Sequence, residues 1–185
     1  MSRGLFGMAV FLGLTFTLAA GTSFAFAADK PVEVKLSKLK APAPAEWAVE
    51  KTANRLRSFQ FKLKGDDGDA ELIVMPETNP EPSKSFPRWK ASFVVPEGKT
   101  ADDIGKQSKL EVAGATLHIL DASGTWKFKE RPFDPKSKEE QRDNYRVVWV
   151  IVVEGDDATH IRISGPQETM VKHMPGVEKW LKSLK

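Results

Sequence analysis

The run from Tyr145 to Val153 limits the possible folds of this chain more than any other stretch. Tyr145, Val147, Trp149, Ile151 and Val153 fall on one side of an extended backbone, and Val148, Val150 and Val152 on the other. A strand that is apolar on both sides has no face to offer water, so it belongs in the middle of a sheet covered above and below by helices or long connections. Gly155-Asp156-Asp157 then turns the chain into Ala158 to Ser164. There Thr159, Ile161 and Ile163 oppose His160 and Arg162, the pattern of a half-buried partner strand.

The chain starts with an address rather than with a fold. Arg3 gives a positive end, the run from Leu5 through Ala20 carries no charge, and Ala25-Phe26-Ala27 places small residues where a signal peptidase needs them. Residues 1–27 therefore read as a secretory signal cleaved after Ala27, which predicts an exported, periplasmic or secreted product with no stable membrane insertion after cleavage. The 185 residues contain no cysteine, which excludes a disulfide framework, a thiol nucleophile and a cysteine-held metal. A net charge of +3, spread along the chain, gives no footprint for nucleic acid.

Residues 28–45, with Lys40-Ala41-Pro42-Ala43-Pro44, read as an extended leader, and Trp47 opens a single globular domain over 46–185. Ser58 to Lys64 and Ala70 to Met75 form a hairpin around the Gly65–Asp69 turn. Ser85 caps a short helix with Phe86, Trp89 and Phe93 on one stripe, ended by Pro96. Leu110 and Val112 lead through Gly114 into Ala115–Leu120, continued by Gly124–Phe128. Lys129 to Asn144 is then a long charged connection. A last helix starts at Pro166 and places Met170, Met174, Val177, Trp180, Leu181 and Leu184 near one face, with Pro175 expected to kink or split it around residue 174.

This order of elements, with an early Trp47 and a final Trp180-Leu181-Lys182-Ser183-Leu184, resembles the α/β/α sandwich of the photosystem II extrinsic subunit PsbP and of DcrB-like bacterial envelope proteins. The segments Arg131-Pro132-Phe133-Asp134-Pro135 and Trp180-Leu181-Lys182-Ser183 are similar to those of exported bacterial proteins with no established activity. The resemblance implies an α+β fold, an antiparallel sheet with helices packed on its faces, and a habit of binding or assisting larger assemblies rather than catalysing reactions.

A nucleophile–histidine–acid hydrolase would have to run through His118, His160 or His173, and none sits in a motif that supplies a nucleophile. His118 reads as a structural histidine on a strand, His160 as a base beside Arg162, and His173 as solvated. Asp66, Asp67 and Asp69 gather oxygen ligands around Gly68 without the spacing of a calcium loop, so turn geometry accounts for them and no metal or cofactor is implied. The charged connection carries the better site. Arg131 and Arg142 can grip a carboxylate, phosphate or sulfate, and Trp126, Phe133 and Tyr145 offer flat surfaces to a sugar or a peptide side chain. The expected function is a non-catalytic binding or assembly-accessory domain for an envelope protein or an anionic or carbohydrate ligand. The rival is a hydrolase of an envelope polymer using His118 or His160.

Overall fold

A computed structural model of the chain describes residues 31–76, 79–130 and 134–185, so the signal reading over 1–27 lies outside the described residues. The elements in chain order are β1 (Glu33–Leu36), β2 (Leu39–Pro42), β3 (Ala48–Val49), β4 (Phe59–Leu63), β5 (Ala70–Met75), α1 (Pro82–Lys90), β6 (Lys106–Val112), β7 (Ala115–Lys129), β8 (Glu139–Glu154), β9 (Asp157–Pro166) and α2 (Gln167–Lys182). A short 3-10 turn, Ala101–Asp103, precedes β6. Seven strands form one sheet in the order β3-β4-β5-β9-β8-β7-β6, with antiparallel pairing between neighbours. This is an α+β domain.

The doubly apolar run lies in β8, between β9 and β7, and Val147 to Val152 are all buried. Its two sides enter different cores. Val148, Val150 and Val152 join Leu72, Ile161, Ile163 and the α2 residues Met170, Val177, Trp180 and Leu181. Val147, Trp149 and Ile151 join Leu120, Ala122, Phe86 and Phe93 beneath α1. Each face of the sheet is thus covered by one helix, and the alternation of strand side chains sets which helix each residue meets.

The structure departs from the local sequence pattern at five places. The segment read as a leader contains the β1–β2 hairpin, whose Val34 and Leu36 are fully buried against the α2 face. Pro42 tolerates this because it ends a strand of a separate two-stranded sheet, where no further neighbour asks for its missing N–H. β9 is buried on both sides, not one: Thr159, His160 and Ser164 are each under 6% exposed, because α1 roofs the polar side as α2 roofs the apolar one. α1 begins at Pro82 with Glu81 as its N-cap, so Ser85 is a buried helix residue instead of a cap, and Phe93 lies past the helix end. α2 continues through Pro175 without being split, with Pro166 as its N-cap.

The supposed connection Lys129–Asn144 is strand from Glu139 onward, since β8 starts there and pairs with β7 out to Lys129↔Glu139. Polar residues on both sides of Glu139–Asp143 hide the period that would have marked the strand. β9 ends opposite Tyr145, so beyond that point β7 and β8 run on as an arm. Ser92–Val94 lines the other side of this arm: Val94 N–H donates to the Thr125 carbonyl at 2.9 Å and Lys127 N–H to the Ser92 carbonyl at 2.8 Å.

Candidate functional site

The root of the arm gathers three of the five residues singled out in the sequence. Trp126 stands opposite Arg142 across the β7–β8 ladder, and a register shift between Gly124 and Trp126, with Asn144 at φ 51°, brings Tyr145 onto the same side. The Tyr145 ring stacks on Trp126 at 5.5 Å and Phe128 packs on it at 5.1 Å. The Arg142 guanidinium carbon lies 3.7 Å from the Phe128 centroid, 5.6 Å from that of Tyr145 and 6.0 Å from that of Trp126. Phe128 is the member that sequence reasoning passed over. Its spacing of two from Trp126 is the signal that sets it on the same side of the strand, and the charged residues from Lys129 onward mask that strand's continuation. Arg131 and Phe133 lie outside the described residues.

The aromatic surfaces are largely spent within the cluster. Trp126 is 4% exposed, donates its indole N–H to Ser92 Oγ at 3.2 Å, and carries Tyr145 on its ring. Phe128 is capped by the guanidinium, a cation–π contact favoured by the ring quadrupole. What the cluster presents is Arg142, held by Glu140 through Nε to Oε1 at 2.9 Å and a second N–H to Oε2 at 3.4 Å. Burial opposes the Arg142 charge, but Glu140 and Tyr145 outweigh it and raise the guanidinium above its ordinary value. The Arg142 hydrogen bond in turn lowers the Glu140 carboxyl. Phe128 and Glu140 also line a cavity of about 340 Å³ with Glu130, Lys136, Ser137 and Lys138.

A second arginine supports the cluster from the sheet. The Arg162 guanidinium carbon lies 5.4 Å from the Trp126 centroid, and its NH2 donates to Glu71 Oε2 at 2.9 Å. Arg57 reaches the other oxygen of Glu71 at 2.7 Å, so one carboxylate holds two guanidiniums. Burial pushes the Arg162 guanidinium below the ordinary arginine range, and its Nε has no hydrogen-bond partner among the described residues. Two guanidiniums, those of Arg142 and Arg162, thus lie over the Trp126 ring, the first paired with Glu140 and the second with Glu71.

The histidines are dispersed. His160 is buried, meets Trp89 edge-on at 5.1 Å and bonds the Asn79 carbonyl through Nε2 at 2.9 Å, so it faces no open space for a substrate. Burial, more than the nearby Arg88, lowers its pKa; Arg162 is not the cause. His118 is half-buried and lines a groove of about 380 Å³ with Pro82, Ser83, Phe86, Gln107, Ser108 and Lys109. Glu111, the acid that acts on it, accepts hydrogen bonds from the Thr116 hydroxyl at 3.0 and 2.9 Å, so no nucleophile–histidine–acid relay is assembled there. His173 bonds the Lys64 carbonyl at 2.8 Å instead of simply facing solvent. Asp69 is claimed by Lys64, and no group of three or more metal-ligating residues occurs among the described residues.

No protein-family model and no curated protein matches the chain. Among solved structures it is similar to a protein of unknown function from Pseudomonas aeruginosa, at 11% identity and a TM-score of 0.43, over 83% of this chain and 94% of that one.

Proposed function

We propose that this chain is an exported, non-catalytic binding or assembly-accessory domain that takes an anionic group at Arg142. The reading joins the signal-like start to a sheet covered by a helix on each face, an arrangement we interpret as a PsbP-like sandwich. The observation that carries the site is the 3.7 Å stacking of Arg142 on Phe128, with Glu140 clipped onto its outer edge. The stack holds the guanidinium plane fixed, which lowers the entropy lost when a carboxylate docks on it. Among the described residues, the rings of Trp126, Phe128 and Tyr145 are occupied by one another and by the guanidinium, which favours an acidic ligand over a neutral carbohydrate. Glu140 stands where the ligand carboxylate would sit and is displaced by it.

Calorimetric titration with a carboxylated polysaccharide, polygalacturonate, and with neutral dextran tests this. Binding is expected for the first and not the second. Arg142→Ala should abolish it, and Glu140→Gln should tighten it by roughly tenfold, the worth of one charge-assisted contact. Unchanged affinity in either variant, or equal binding of dextran, would reject the anion site.

A further inference from the structure

We infer that β6 is a self-pairing edge, through which two copies of this chain join their sheets in a symmetric dimer. Among the described residues, β6 is the last strand of the sheet and hydrogen-bonds within it to β7 alone. Six of its seven residues are not buried, whereas the opposite edge, β3, is only two residues long.

Backbone geometry fixes which groups of β6 face outward. Val112 pairs with Ala115 across a two-residue turn, Ala113 at φ 48° and Gly114 at φ 85°, the left-handed pair of a type I′ hairpin. Residues flanking such a turn exchange both backbone hydrogen bonds. Val112, Leu110 and Ser108 therefore direct N–H and C=O at β7, while Glu111, Lys109 and Gln107 direct theirs away from it, off the edge of the sheet.

A two-fold axis normal to the sheet pairs only residues that share a face, which leaves few registers. An axis at Lys109 sets two ammonium groups against each other, and one at Ser108 brings Lys106 onto Leu110 and forms no ion pair. Centring on Leu110 places Lys109 opposite Glu111 of the second copy, twice. Those are the residues with outward backbone groups, so two ion pairs coincide with four backbone hydrogen bonds. On the other face Leu110 meets its own copy at the close spacing of a non-hydrogen-bonded pair. Leu110 already packs on the α2-side core, which would continue across the junction. The Thr116 hydroxyl holds the Glu111 carboxylate on the face where the second copy's Lys109 arrives.

Light scattering and sedimentation equilibrium of the purified protein, followed to its highest soluble concentration, should show a dimer. Lys109→Glu and Glu111→Lys should each give a monomer, since each sets like charges opposite. Mixing these two single variants should restore a dimer, because the heterologous pairing is again Lys against Glu, and the double exchange K109E/E111K should dimerise alone. Circular dichroism should be unchanged throughout, as both side chains are exposed. A wild-type monomer at every concentration would mean that the lysines only guard the edge, and would overturn the proposal. So would dimeric single variants, or a mixture that stays monomeric.

Discussion

His160 shows how burial turns one residue into a source of pH dependence. Its ring lies between the sheet and Trp89 with Nε2 on the Asn79 carbonyl, and burial holds its pKa below the usual value of about 6.5. Above that value the imidazole is neutral in both folded and unfolded chains, and its contribution is complete. As pH falls below about 6.5 the unfolded chain takes up a proton that the folded one resists, so stability is lost toward the lower folded value. Thermal unfolding between pH 7.5 and 5.5 should show Tm falling with acidification, and His160→Gln, which keeps a donor for Asn79, should flatten the slope. Some slope will remain, because burial and then Lys109 lower His118 in the same direction. An equal slope in the variant would place the proton uptake elsewhere. Sequence placed His160 correctly on a strand but not under a roof, since α1 reaches it from about seventy residues upstream, and local period carries no sign of that.

At the scale of elements, α2 runs uninterrupted past a residue that ordinarily ends a helix. Pro175 has no N–H for the Val171 carbonyl, and both residues lie on the exposed side, so water can serve that carbonyl. The buried stripe of Met170, Met174, Val177, Trp180 and Leu181 holds the helix on the sheet across the defect. Pro175→Ala should therefore stabilise the fold by about 2 kcal/mol, the interior-proline penalty less the chain entropy that proline removes from the unfolded state. A chemical denaturation midpoint that does not rise would show that the penalty had already been relieved. The arm of β7 and β8 teaches the converse lesson. Trp126, Phe128 and Arg142 become one cluster because two strands are in register, and the charged stretch between Lys129 and Asn144 hid that register. Of the candidate residues, Trp126, Arg142 and Tyr145 could be picked out by type, but the stacking that occupies their rings could not.

For the whole molecule, the β1–β2 hairpin decides whether the α2 face is closed. Val34, Leu36, Leu39 and Ala41 are buried in the same core as Trp47 and Trp180, and Lys40 and Lys185 exchange backbone hydrogen bonds at 3.0 and 3.2 Å. Burying each large aliphatic side chain contributes about 1.5–3 kcal/mol, so a chain starting at Ala45 should lose about 5 kcal/mol or more. That approaches the whole stability of an ordinary domain. Calorimetry should find its cooperative transition lost or far below that of the intact protein; an unshifted Tm would restore the reading of 28–45 as a mere leader. By itself the sequence determined the central strand, the hairpins around Gly155 and Gly65–Asp69, and the final amphipathic helix, because these depend on period and turn chemistry within a few residues. Tertiary structure alone decided that residues 33–42 enter the core, that polar β9 is roofed, and that Arg142 is held between an aromatic ring and Glu140. Those outcomes rest on contacts between segments distant along the chain, and only the packed sheet brings such segments within reach of one another.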